Sequence, residues 1–343
     1  MRLHENKELF ADAIQAASRG IDDGGLGIRD IFIEKDYWIC RSLRLMALAD
    51  TNGQAVHKGG TSLSKAYGIG ARFSEDIDIA ILDADKMSGN KLKTLIGHLS
   101  KEMSRGLDEI VIPGATCKGS HYRKEYFAYP RAVETEQVGA IRSGQLLLEI
   151  NAFANPFPYT SCTIRSFLTE FLERSGNQSL IDEYDMQPFT LSVLDKRRTL
   201  TEKLVSLIRC SLADNYLYEL SAKIRHFYDL HFLLDDPECR EYLKSTEFKE
   251  DFDVLLSHDR KLFAKPDGWQ TKDLSDSPLI TNLSDTWVAL QETYNKEMPG
   301  LAYKSIPTVG QIQASIRTIL GINDESSIIF GKVISCSAKS FRL

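Results

Sequence analysis

HKGGTSLSKAYGIGARFSEDIDIAIL, residues 57–82, decides how the rest of this chain is read. It begins as a short strand, turns at Gly59-Gly60-Thr61, opens a helix, passes through a loop and ends in a strand carrying Asp76 and Asp78. Side chains alternate between the two faces of a strand. Asp76 and Asp78 therefore share one face, and Ile77, Ile79 and Ile81 share the other. Such a strand can bury one side and present an acidic site on the other.

Two consecutive glycines allow positive φ and close backbone approach. Thr61 has the chemistry of an N-cap for a helix over 62–67. The bare N–H groups and positive dipole end of that helix would seat a phosphate. A Gly-Gly-Thr turn alone also describes an ordinary strand–turn–helix junction. The Asp-x-Asp strand that follows changes the odds. Two carboxylates that close repel unless a cation sits between them, and hard oxygen ligands of this kind suit Mg²⁺, which binds through one or two carboxylates plus substrate phosphates. A third acid is sought on a neighbouring strand. In QLLLEINAF (145–153), Glu149 alternates with Leu148 and Ile150. An acid in an apolar strand is costly unless paired or metal-bound. Glu149 is the candidate; the alternative is a strand-end acid meeting an arginine.

Working outward, 343 residues with 43% hydrophobic content accommodate two domains and a sizeable core. No run of eighteen apolar residues suggests a membrane span, and MRLHENKELF has no signal-peptide h-region. The six cysteines (Cys40, Cys117, Cys162, Cys210, Cys239, Cys336) have no CxxC or Cys/His spacing. They read as free thiols in a reducing cytoplasm, not as a disulfide frame or zinc site. A net charge of −6 gives no global nucleic-acid signature, so any RNA contact must come from local basic patches.

Helical spacing predicts helices over 5–20 and 30–49. Within the second, a solvated face is one of two readings left open for Glu34-Lys35-Asp36. A polar helix over 85–109 is followed by candidate strands at 110–112 and 122–129, with Lys118, His121, Arg123 and Lys124 as a basic cluster. Composition changes after Asn155-Pro156-Phe157-Pro158, which places a domain boundary near residue 155. The second half reads as mostly helical: 166–174, 195–213, 216–236, 247–263, 284–295 and 308–320. In 195–212, Lys203 flanks a stripe of Leu200, Leu204 and Leu207, with Lys196, Arg197, Arg198 and Arg209 nearby. That is either a solvated face or a phosphate clamp. Arg225 and Asp229 lie four apart, the spacing of an intrahelical ion pair. Residues 264–283 read as a loop, Pro299-Gly300 as a break, and 324–343 as a loosely attached strand or a disordered tail.

Three segments resemble the AbiEii/AbiGii-type nucleotidyltransferase toxins of bacterial toxin–antitoxin systems, within the polymerase-β-like nucleotidyltransferase superfamily. The first runs from Lys58-Gly59-Gly60-Thr61-Ser62-Leu63-Ser64-Lys65-Ala66-Tyr67 through Arg72-Phe73-Ser74-Glu75-Asp76-Ile77-Asp78 and is similar to the family's first motif almost letter for letter. The second is Glu202-Lys203 with Leu207 and Arg209, and the third Arg225-His226-Phe227-Tyr228-Asp229-Leu230. Glu34-Lys35-Asp36-Tyr37 also resembles the family's entry helix.

The resemblance implies an α+β fold: a small mixed sheet with flanking helices as the nucleotidyltransferase core (1–155), then a mostly helical domain (156–343) completing the active-site cleft. It implies Mg²⁺- or Mn²⁺-dependent transfer of a nucleoside monophosphate from an NTP to RNA, with tRNA 3′ ends as the acceptor of characterised relatives and blocked translation as the result. A protein acceptor and a non-catalytic nucleotide-binding module are the alternatives. It further implies a cognate antitoxin encoded nearby, cytoplasmic location and a role in abortive infection and phage defence. The residues carry over as Asp76, Asp78 and Glu149 for metal; Gly59, Gly60, Thr61, Lys65, Arg72, Ser74 and Lys203 for the nucleotide; and Asp76, Asp78, Glu149, Lys203 and Asp229 for catalysis. Arg72 has a second reading, as a structural ion pair with Glu75 or Asp76.

Overall fold

The computed structural model describes residues 1–134, 137–138 and 141–321. They divide into two compact units: Met1–Asp195 with Gly300–Lys304, and Lys196–Pro299 with residues 305–321. The first unit holds helices α1 (Lys7–Ser18), α2 (Asp30–Ala49), α3 (Gly59–Ala66), α4 (Gly89–Met103), α5 (Phe167–Arg174) and α6 (Gln178–Glu183). Its strands are β1 (Ala55–Lys58), β2 (Asp76–Ile81), β3 (Asp108–Ile110), β4 (Cys117–Lys118), β5 (Tyr122–Ala128), β6 (Gln137–Val138), β7 (Ile141–Arg142), β8 (Gln145–Asn151), β9 (Tyr159–Ile164) and β10 (Phe189–Leu194). Eight of them form one mixed sheet in the order β3-β5-β8-β2-β1-β10-β9, with β4 on β5.

The boundary therefore falls at Asp195, not near residue 155. Pro156 and Pro158 mark only a turn. The chain then returns through β9, which pairs with β10 in antiparallel register, and β10 lies parallel to β1. β9 was hidden by its mixed polarity, with Tyr159, Thr160 and Ser161 exposed; β10 does alternate, Phe189, Leu191 and Val193 against Thr190 and Ser192.

Alternation sorts the central strands as predicted. Ile77, Ile79 and Ile81 are buried, as are Leu146, Leu148 and Ile150 of β8, and α2 and α4 both pack against β8. Along α2, Glu34, Lys35 and Asp36 are buried rather than solvated. Each reaches a different part of the unit. Glu34 accepts the Ala132 amide, Lys35 pairs with Glu75 at 2.6 Å, and Asp36 accepts the Phe167 amide at 2.6 Å and pairs with Lys65 at 2.5 Å. Buried charges persist only when partnered this way.

The second unit comprises α7 (Lys196–Ser211), α8 (Tyr216–Ser221), α9 (Ile224–Asp235), α10 (Pro237–Leu243), α11 (Thr246–Leu262), α12 (Pro278–Thr281), α13 (Leu283–Leu301) and α14 (Val309–Ile319). The helix anticipated over 216–236 is two, separated by Ala222 and Lys223. Pro299 does not break the chain; it lies inside α13. Aromatic packing organises this core: Trp287 sits 5.2 Å from Phe227 and 5.7 Å from Tyr294, centroid to centroid, and its indole N–H donates to the Val309 carbonyl. The expected tail over 324–343, with Cys336, lies outside the described residues. No described helix is long and apolar enough to cross a membrane.

Candidate active site

Register builds the site. Asp78 on β2 pairs with Lys58 on β1 and with Glu149 on β8, and Glu149 pairs in turn with Lys124 on β5. Cross-strand partners share a face, so Lys58, Asp78, Glu149 and Lys124 form one row across four strands: cation, acid, acid, cation. Asp76 lies one step away on the same face, opposite Leu147. The core packing of the isoleucines leaves the two aspartates on the opposite, partly accessible side.

The glycine turn abuts this row. Helix α3 begins at Gly59, with Lys58 at its N-cap and no side-chain cap. It thus starts earlier than predicted, and Thr61 is not its cap. Gly59 has φ +81°, and a Cβ there would overlap the Asp78 carboxylate. A Cβ on Gly60 would lie 2.6 Å from Arg72 Nη2 and 2.9 Å from Ser74 Oγ. Gly59, Gly60, Arg72, Ser74 and Asp78 are therefore packed around one point. Thr61 is buried, and its hydroxyl donates to the Asp76 carbonyl at 2.7 Å. It fixes the start of β2 relative to α3.

Glu149 does not meet an arginine. Its carboxylate takes Lys124 Nζ at 2.6 Å and the Tyr122 hydroxyl at 3.1 Å. Burial and then the charge of Glu149 push the Tyr122 phenol up, so it remains a donor. Burial opposes the Lys124 ammonium, but the bond to Glu149 outweighs it and holds that group above the ordinary lysine range. The strand residue before Lys58, His57, is buried with Nδ1 3.2 Å from the Asp78 carbonyl, and burial lowers its pKa to about 4. It is a neutral brace behind the acid strand.

Two aspartates on one strand face fit a hard divalent cation that also takes substrate phosphates. Among the described residues, no group of three or more His, Cys, Asp or Glu side chains is drawn together for a metal. A cation there would have the Asp76–Asp78 pair to bind, with Glu149 beside it in register but engaged by Lys124 and Tyr122.

The other predicted residues lie elsewhere. Lys65 is buried against Asp36, its Nζ 3.9 Å from the centre of the Phe167 ring. In the second unit, Lys203 and Asp229 form a buried ion pair of 2.8 Å joining α7 to α9, so Lys203 is not on a solvated face. Arg209 pairs with Asp259 at 2.8 Å. Lys58, Tyr122 and the pairing of Lys124 were not anticipated. The signal for them was the period-two spacing of Tyr122 and Lys124, which becomes informative once β5 is known to flank β8.

A family model described as the nucleotidyl transferase AbiEii toxin of type IV toxin–antitoxin systems matches residues 43–312. The chain belongs to this family. It is accordingly a nucleotidyltransferase of the toxin half of such systems. Among solved structures, MenT4, a nucleotidyltransferase toxin of Mycobacterium tuberculosis, is similar at 15% identity over 98% of this chain and 95% of that one, with a TM-score of 0.48. A Helicobacter pylori protein assigned as a nucleotidyltransferase is similar at 19% identity over 77% and 96% of the two chains, with a TM-score of 0.31. No curated protein matches the chain.

Proposed function

We propose that this AbiEii-family chain transfers a nucleoside monophosphate from an NTP onto RNA, with a tRNA 3′ end as the acceptor, and so inhibits translation. The observation that carries the reading is the contact of the uncapped glycine turn with the Asp78 carboxylate, which joins a phosphate seat to a paired-acid face. The acceptor hydroxyl attacks the α-phosphorus, the bond to the bridging oxygen breaks, and pyrophosphate leaves. The hydroxyl proton passes to a carboxylate of the site.

Asp76 and Asp78 would hold Mg²⁺ or Mn²⁺, with Glu149 completing the carboxylate set. The ion would supply neutralisation of phosphate charge, which dominates this class of reaction. Gly59 and Gly60 admit the phosphate chain to the start of α3. Arg72 and Ser74, packed under Gly60, hold that turn in shape and stand closest to an incoming phosphate. Thr61 acts through the backbone of β2. Lys203 and Asp229 are assigned to triphosphate binding and catalysis on their motif resemblance, and Lys65 to shaping α3 from behind. An antitoxin encoded beside this chain and a role in abortive infection follow from the same reading.

The test is incubation with each of four labelled NTPs, Mg²⁺ and total tRNA or cell-lysate protein. Label on tRNA is the expected result. Label confined to protein would replace the RNA acceptor, and no label with any NTP would remove the reading.

A further inference from the structure

A second feature lies on the other side of Asp76 from the glycine turn. A pocket of about 350 Å³ opens there, at the lower end of the size range of small-molecule sites, roughly 300–1,000 Å³. Its floor follows from register: Asp76 pairs with Leu147, and Leu147 with Tyr126, so a leucine and a tyrosine lie side by side on the acid face. Ile112 and Ala115, from the turn after β3, add an apolar wall. The polar groups stand at the edges. Gln145 offers an amide with donors and an acceptor. Glu75 is held by the buried Lys35 at 2.6 Å, yet a carboxylate has about four acceptor positions.

We infer that this pocket binds a nucleobase. A base needs an aromatic or flat apolar surface for its ring and a few polar groups for its edge; Tyr126 and Leu147 supply the first, Gln145 and Glu75 the second. The Lys35–Glu75 pair keeps the edge group fixed, which favours a planar ligand with an amino donor over a plain hydrocarbon. Because Asp76 borders both the pocket and the proposed metal face, a base seated there has its sugar and phosphate at the reacting centre. The inference rests on the nucleotidyl-transfer reading and adds to it the element that distinguishes one base from another. The base belongs either to the donor NTP or to the terminal nucleotide of the acceptor.

The probes are 2-aminopurine riboside triphosphate and a short RNA ending in 3′-terminal 2-aminopurine, titrated separately with the full chain and read by fluorescence quenching. The variants are Tyr126→Ala and, at the half-exposed rim, Gln145→Ala, which leaves the floor intact if the first disturbs folding. Loss of one stacking partner weakens binding by roughly 5- to 150-fold. Weakening of the triphosphate alone assigns the donor base, and weakening of the RNA alone assigns the acceptor base. Both probes binding both folded variants within twofold of the parent would overturn the inference. Quenching needs no turnover. A parent that binds but transfers no label would defeat the proposed reaction and leave the pocket standing; one that transfers label with the variants unaffected would do the reverse.

Discussion

At the residue scale, the two glycines are fixed by what sits where their side chains would be. A methyl group on Gly60 meets the Arg72 guanidinium at 2.6 Å. Gly60→Ala is expected to lower transfer at least tenfold with little change in unfolding midpoint, since Arg72 must move before any NTP arrives. Asp76→Asn and Asp78→Asn remove the charge on which electrostatic stabilisation of the proposed transfer would depend. Each is expected to cost two orders of magnitude or more in turnover, measured as label incorporated per minute with folding checked by circular dichroism. Lys124 makes a different prediction. Its ammonium lies against Glu149 at 2.6 Å and competes for the same carboxylate a cation would use. Lys124→Met is expected to tighten Mn²⁺ binding by several-fold, up to about one order of magnitude. Electron paramagnetic resonance of free Mn²⁺ reads this without any substrate, and unchanged affinity would remove the competition.

Helix α2 illustrates the element scale. Its buried Glu34 accepts a backbone amide from Ala132, and burial raises its pKa to about 7. A carboxyl raised in the folded state binds its proton more tightly there than in the unfolded chain. Its contribution to stability is therefore complete below the unfolded value near 4.5 and is lost as pH rises through about 7. Glu34→Gln should flatten the fall in stability between those values, by up to roughly 3 kcal/mol. Urea midpoints at pH 5 and pH 8 for parent and variant measure it. In the second unit, the α7–α9 ion pair allows folding to be separated from chemistry. Removing one partner of such a pair costs about 3–5 kcal/mol, whereas replacing both with apolar groups of similar volume is nearly neutral. Asp229→Leu alone is expected to destabilise strongly, and Lys203→Met with Asp229→Leu to recover most of the loss. If the pair also serves transfer, the recovered protein remains inactive.

For the whole molecule, legibility in the sequence followed the physical origin of each signal. The acid strand, the glycine turn and the strand bearing Glu149 announce themselves through local spacing and alternation, and they occupy adjoining positions in the sheet. The expected span of α2 also matches, because its apolar residues recur at helical spacing. The burial of Glu34-Lys35-Asp36 was invisible, since their partners Ala132, Glu75 and Lys65 are remote in sequence. The same reason concealed the cation flanks of the acid row: strand order β5-β8-β2-β1 is a tertiary fact. The boundary was misplaced because prolines at 156 and 158 imitate a linker, while β9 carries too little apolar alternation to signal a strand, and the alternation of Phe189, Leu191 and Val193 in β10 does not by itself say which sheet it joins.

The short return of the chain at Gly300–Lys304 has a further consequence. Leu301 accepts the Phe73 amide and Tyr303 donates its amide to Ala71, so residues 300–304 clasp the loop that carries Arg72 just before the acid strand. The ribosome delivers chain at roughly 5–20 residues per second, and residues 300–304 follow α7 to α12 and most of α13. A nascent chain can assemble the sheet and its acids while the Arg72 loop still lacks these two backbone hydrogen bonds. The order of synthesis thus separates two events: every strand of the sheet that carries Asp76 and Asp78 is made by Leu194, and the loop bearing Arg72 gains this backbone support only once residues 300–304 have followed.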